Sequence, residues 1–90
     1  MAEFDAEARR RLKRGDFALP PDKEDRRRGF AGRYPIHDEE HARNALARAM
    51  QQLGKMLTRT EVIQVIQAVH RKYPDIEISD ELREMARIRR

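Results

Sequence analysis

The chain has 90 residues, of which 39% are hydrophobic and 40% are charged, so it can form one small domain with a thin core. It contains no cysteine, which excludes disulfide bonds and thiolate metal ligands, and no apolar run reaches the roughly 18 residues that a membrane span requires. Its 20 basic and 16 acidic residues give a net charge of +4, which is compatible with an anionic partner but does not require one.

The first predicted helix covers residues 3–14. Phe4, Ala8 and Leu12 recur at a spacing of four, acidic residues come first and basic residues last, and Gly15 follows as a stop signal. The apolar stripe is narrow, so we expect residues 1–15 to form a peripheral helical arm. Residues 15–36 contain three of the four prolines and are predicted to be a long irregular loop.

Stronger helices are predicted in the second half of the chain. Residues 38–53 carry an alanine-rich apolar stripe at helical spacing, and residues 59–73 begin with a capping-box pattern. Residues 80–89 form a last predicted helix, and residues 80–90 are a second candidate for a peripheral arm. The expected fold is therefore all-α: a small bundle of about four helices in a single domain over residues 1–90.

The sequence HDEEH at residues 37–41 formally matches the inverted zincin pattern, in which two histidines bind zinc and a glutamate acts as a base. A catalytic zinc site also needs a third protein ligand and a cleft, which a thin core does not easily provide. A simpler interpretation is that Asp38 or His37 caps a helix. We therefore predict no cofactor and no metal, with His37 and His41 as weak metal candidates only. The expected helix-capping and loop-anchoring residues are His37, Asp38, His41 and Asn44.

Three basic clusters are candidates for contacts with nucleic acid, because guanidinium groups bind phosphate well. Acidic residues are interleaved with the first two clusters, and no helix-turn-helix pattern with a basic second helix is present, so a solvated charged surface is the alternative interpretation. The clusters consist of Arg9, Arg10, Arg11, Lys13, Arg14, Arg26, Arg27, Arg28, Arg87, Arg89 and Arg90.

No enzymatic chemistry is indicated by the sequence. It has no cysteine nucleophile and no glycine-rich phosphate loop, and its only serine, Ser79, is better placed as a helix cap. We therefore predict that the protein is not an enzyme.

Two stretches carry a resemblance to known proteins. The sequence DFA at residues 16–18 and the sequence YPIHDEEHARNALAR at residues 34–48 resemble a small module of phage and prophage proteins. Such modules are often found with phage head-region proteins, including chains related to head-maturation proteases. The resemblance covers about residues 16–52 and implies a structural or interaction role without catalytic activity.

We therefore expect a non-enzymatic, phage- or prophage-associated module that acts by protein–protein contact, in virion or head assembly or as a homo-oligomer. A thin core with narrow apolar stripes favours this function because a partner surface can complete the fold. The alternative is a small basic protein that binds DNA or another nucleic acid through its arginine clusters. In either case we expect a location in the host cytoplasm or within a virion, with no secretion and no membrane partner.

Overall fold

The computed structural model describes residues 6–88, which form five α-helices and one two-stranded antiparallel sheet. A single 3-10 turn, Arg14–Asp16, precedes the first strand. The elements in chain order are α1 (Ala6–Arg10), β1 (Phe17–Leu19), α2 (Lys23–Arg27), β2 (Arg33–Pro35), α3 (Glu39–Gln52), α4 (Arg59–Lys72) and α5 (Asp80–Ala86). None of the helices within residues 6–88 has the length and apolar character needed to cross a membrane.

The expected all-α fold is wrong, because the predicted loop over residues 15–36 contains both strands of a sheet and a short helix. Phe17 pairs with Pro35, and Leu19 pairs with Arg33. Each strand has only three residues, and all three residues of β1 are buried, so no alternation of polar and apolar side chains marks the strand. The domain therefore has mixed α and β structure.

The first predicted helix ends earlier in the structure than the sequence indicates. Within the described part of the chain, α1 ends at Arg10 and the chain turns before reaching β1. The Arg10 side chain leaves the helix surface to donate from Nε to the carbonyl oxygen of Arg28 at 2.7 Å. Phe4, which was expected on the apolar stripe, lies outside the described residues.

The other predicted helices correspond to α3, α4 and α5. Asp38, Thr58 and Ser79 are their N-cap residues, and each side chain accepts a backbone hydrogen bond from the first turn. The last helix ends earlier than predicted, since Arg87 adopts a left-handed conformation with φ of 55°. This C-cap geometry ends α5 at Ala86.

The core lies between the sheet and the two long helices. α3 packs against α4, β1 contacts α4, β2 contacts α3, and α5 packs on α4. The α3 face toward α4 consists of small residues, which allows the two helices to approach closely. The largest fully buried side chains are those of Leu19, Ile36, Val62, Val65, Ile66 and Val69.

The end of α4 anchors the segment that carries the sheet. The Tyr73 hydroxyl donates to the carbonyl oxygen of Ile36 at 2.9 Å, and Lys72 Nζ lies 3.3 Å from Asp16 Oδ1. The Ile36 backbone N–H in turn donates to the carbonyl oxygen of Asp16 at 2.7 Å. These bonds connect the beginning of β1, the end of β2 and the last turn of α4.

We expect Gly32→Ala to destabilise the protein strongly. A Cβ at Gly32 would lie 2.5 Å from Phe17 Cβ and 2.6 Å from the Leu19 carbonyl oxygen, and the backbone of β1 would have to move. We expect a loss of about 2–3 kcal/mol in the free energy of unfolding, measured by urea denaturation. Gly15→Ala is the matched control because a Cβ there meets nothing within 4 Å, so its effect should stay within about 0.5 kcal/mol. Equal effects at the two positions would contradict the close strand contact.

Candidate functional site

An open groove of about 950 Å³ is lined by residues of α1, α2, β2, α3 and the turn after α3. Arginine and aspartate side chains give it a wall of mixed charge, and amide side chains line part of α3. We call it the arginine groove and define it by Arg9, Asp22, Asp25, Arg28, Phe30, Arg33, Tyr34, Asn44, Arg48, Gln51, Gln52 and Met56.

Ion pairs hold two of the arginines in the wall of the groove. Arg33 Nη2 donates to Glu61 Oε2 at 2.8 Å, and Arg33 Nε lies 3.9 Å from Asp25 Oδ2. Asp25 is buried and also lies 4.0 Å from Arg9 Nη2. The Arg9 guanidinium lies 4.6 Å from the centroid of the Phe30 ring. The charges of Arg9 and Arg33 are therefore largely offset within the protein.

Arg48 differs from the other arginines of the groove. Arg28 pairs with Glu24 at 3.3 Å, but Arg48 is exposed and makes no hydrogen bond or ion pair with any residue among 6–88. Its guanidinium therefore offers its donors to a ligand without first breaking an internal bond.

Tyr34 has a strained backbone and its side chain lines the same groove. Its φ of 59° places a bulky residue in the left-handed region, at a cost of roughly 1–2 kcal/mol. Partial burial raises the pKa of the Tyr34 hydroxyl, an effect opposed by the nearby charges of Arg33 and Arg48. The Tyr34 side chain and Arg48 line the same groove, and the Arg48 charge is close enough to affect the Tyr34 hydroxyl.

Met56 adds an apolar contact surface to the groove. Its side chain is 78% exposed, and it is the one large hydrophobic residue that residues 6–88 leave exposed. A methionine side chain is flexible and polarisable, so it can pack against varied partner surfaces. The groove thus combines a free cation, an aromatic ring, amides and an apolar contact.

The predicted helix cap and loop anchor lie at the beginning of α3. Asp38 Oδ1 accepts from the His41 backbone N–H at 2.7 Å, and this bond holds the pKa of the Asp38 carboxyl below its usual value. His41 Nδ1 also lies 2.8 Å from Asp38 Oδ1, and His37 Nε2 lies 3.5 Å from Asp38 Oδ2. Asn44 is exposed in the arginine groove, and its side chain makes no hydrogen bond with residues 6–88.

The structure reveals loop anchors that the sequence reasoning missed. Tyr73 and Lys72 hold the segment before α3, although they lie far along the chain. The sequence shows Tyr73 directly before Pro74, but this pattern indicated only where the helix ends. Its partner, the carbonyl oxygen of Ile36, cannot be recognised from sequence because every residue has such a group.

The first two basic clusters meet in space, but acidic residues and carbonyl groups occupy many of their donors. Arg10 bonds to the backbone of Arg28, and Arg14 Nη1 donates to the carbonyl oxygen of Phe17 at 3.1 Å. Arg11 pairs with Glu7 and Arg27 pairs with Glu24, in exposed i,i+4 and i,i+3 pairs.

The remaining predicted basic residues do not extend this surface into one cationic face. Lys13 and Arg26 are exposed without an ion pair among residues 6–88. Arg87 is the C-cap of α5, which packs on α4. Arg89 and Arg90 lie outside the described residues.

Comparison of the chain with protein-family models, with curated proteins and with solved structures gives no significant match.

We expect Tyr34→Gly to be more stable than Tyr34→Ala by about 1 kcal/mol. Both substitutions remove the ring, but only glycine adopts a φ of 59° without steric cost. Ala47→Gly is the control, at an exposed position within α3. There glycine should be less stable than the wild-type alanine, because glycine weakens a helix by about 1 kcal/mol relative to alanine. Urea denaturation of the three variants measures both differences. A Tyr34→Ala variant more stable than Tyr34→Gly would contradict the strained backbone.

We expect Glu61→Gln to destabilise the protein at pH 7 and to have little effect at pH 3. The Thr58 backbone N–H and the Arg33 guanidinium hold the pKa of Glu61 below its usual value. A carboxyl whose pKa is lowered by folding adds stability above its unfolded pKa, and that stability is lost as pH falls through the folded pKa.

Urea denaturation at the two pH values measures this effect, with an expected loss of about 1 kcal/mol at pH 7. Glu77→Gln is the control, since Glu77 is exposed and has no ion pair within residues 6–88. An equal loss from Glu61→Gln at both pH values would show that the carboxylate charge is unimportant.

Proposed function

We propose that the chain is a non-enzymatic interaction module, of the phage- or prophage-associated kind that its sequence resembles, and that it works by protein–protein contact. The contact surface is the arginine groove, and the occupant is an extended segment of a partner protein that places one Asp or Glu carboxylate at Arg48. The observation that carries the proposal is Arg48, an exposed guanidinium without a hydrogen bond or ion pair among residues 6–88, in a groove that also contains the strained Tyr34.

The other groups of the groove suit a polypeptide. Amide side chains both donate and accept hydrogen bonds, so Asn44, Gln51 and Gln52 can pair with the N–H and C=O groups of an extended backbone. Met56 provides an apolar contact and Arg48 provides a charged one. Together they supply the mixture of anchors and adaptable polar contacts that is typical of protein interfaces.

The same groove suits nucleic acid less well. Binding of a phosphate backbone depends on several free cations along a track, each releasing counterions. Arg9, Arg28 and Arg33 are already paired with carboxylates, and Asp22 lies in the same groove. A phosphate chain would meet these acidic groups and would find one unpaired guanidinium, whereas a single carboxylate needs no more than one.

Selection from a displayed library of random peptides on the full-length chain tests the proposal. We expect enriched peptides to contain Asp or Glu, and Arg48→Ala to weaken the best peptide by about ten- to hundredfold, as loss of a charge-assisted hydrogen bond predicts. Arg71→Ala is the matched control because Arg71 is exposed on α4 and does not line the groove.

Two results would overturn the proposal. One is enrichment of basic peptides, or of acidic peptides whose affinity is the same for wild type and Arg48→Ala. The other is a shift assay in which duplex DNA binds at about 50 mM salt and is released steeply as salt increases, which would favour the nucleic-acid function. Light scattering on the purified chain distinguishes a separate partner from a second copy of the chain.

A further inference from the structure

We propose that His37, Asp38 and His41 form a binding site for a divalent transition-metal ion such as Zn²⁺. One ligand atom from each residue lies within 4.8 Å of the other two. Two histidines and one carboxylate are a common protein ligand set for zinc, with the fourth position left to water or another ligand. This inference does not rest on the proposed function.

The distances between donor atoms are close to those of a metal centre. Zinc bonds to nitrogen and oxygen are about 2.0–2.1 Å, so two donors of a tetrahedral site lie about 3.3 Å apart. In the structure, His37 Nε2 lies 3.5 Å from Asp38 Oδ2, and His41 Nδ1 lies 2.8 Å from Asp38 Oδ1. The ring centroids of the two histidines are 4.2 Å apart. Because the three donors lie within 4.8 Å of one another, side-chain adjustments of up to about 1.5 Å bring all of them around one ion.

The site differs from the zincin pattern in its third ligand. That pattern requires both histidines on one helix and a glutamate beside them, but His37 precedes the N-cap and Glu40 is exposed, outside the cluster. Asp38 takes the third position because one of its carboxylate oxygens lies near a ring nitrogen of each histidine.

The surroundings permit an ion to enter. The side chains of His37 and His41 are 22% and 27% exposed, and that of Asp38 is 50% exposed, so the donors are accessible from solvent. The positive end of the α3 dipole disfavours a cation, and the carboxylates of Asp38, Glu39 and Glu40 oppose that effect. Imidazole nitrogens select transition metals over Mg²⁺, which prefers an all-oxygen shell.

Metal binding would connect the segment after β2 to the first turn of α3. Asp38 Oδ1 already holds the His41 backbone N–H, and Oδ2 is directed toward His37. An ion bound only by the folded chain raises the free energy of unfolding, and above its dissociation constant this gain grows with the logarithm of the ion concentration. Zinc should therefore raise the melting temperature.

Titration of the full-length chain with zinc chloride, followed by calorimetry and by thermal melting, tests the site. We expect one ion per chain, a higher melting temperature with zinc, and no change with magnesium chloride. His37→Ala and His41→Ala should each weaken zinc binding at least tenfold and abolish the rise in melting temperature. His70→Ala is the matched control, because His70 lies on α4 outside the cluster and should leave both unchanged.

Asp38→Asn separates the ligand role from the capping role. Asparagine caps a helix as well as aspartate does, so stability without metal should be retained while zinc affinity falls. X-ray absorption at the zinc edge of the wild-type complex gives a readout that does not depend on any variant and should show two imidazole ligands. Absence of saturable zinc binding, an equal loss with His70→Ala, or fewer than two imidazoles around the metal would each overturn the proposal.

Discussion

Helix α4 holds a sheet that has only three residues in each strand, and the rest of the domain depends on this attachment. Two short strands are not stable alone in water. At the beginning of α4, Glu61 pairs with Arg33 of β2, and at its end Tyr73 and Lys72 hold the segments that flank the sheet. The Leu19 side chain of β1 is fully buried in the core, and β1 contacts the same helix. The sheet is therefore fixed at both ends of one helix.

The arginine groove is a consequence of this attachment. Arg33 is held by Glu61 and lies near Asp25, and the next residue of β2, Tyr34, has a left-handed conformation where the strand contacts α3. The groove thus has a rigid, internally neutralised side formed by the sheet and α2. Its other side is α3, where the Arg48 side chain has no hydrogen bond or ion pair with the described residues, 6–88. A rigid wall with one free charge favours selective recognition of a small acidic feature over broad attraction to any polyanion.

Much of the helical structure could be predicted from the sequence, because capping and periodicity are local signals. Thr58 and Glu61 mark the beginning of α4, and Asp38 marks that of α3. The sheet could not be predicted, since three buried residues show no alternation and the bonds that hold them come from distant residues. The groove was equally hidden, whereas His37, Asp38 and His41 were grouped from the sequence as helix-capping and loop-anchoring residues. The sequence suggested Glu40 as the chemical partner of the histidines, whereas the N-cap conformation brings in Asp38.

The anchoring of Ile36 by Tyr73 also sets the order in which the chain can fold. The bond joins residues separated by 37 positions, and the bond between Lys72 and Asp16 spans 56. During synthesis the residues of both strands leave the ribosome well before the end of α4 exists, so the sheet cannot be fastened until α4 is complete. The sequence separations therefore predict that α3 and α4 form by local contacts first and that the sheet is fastened late.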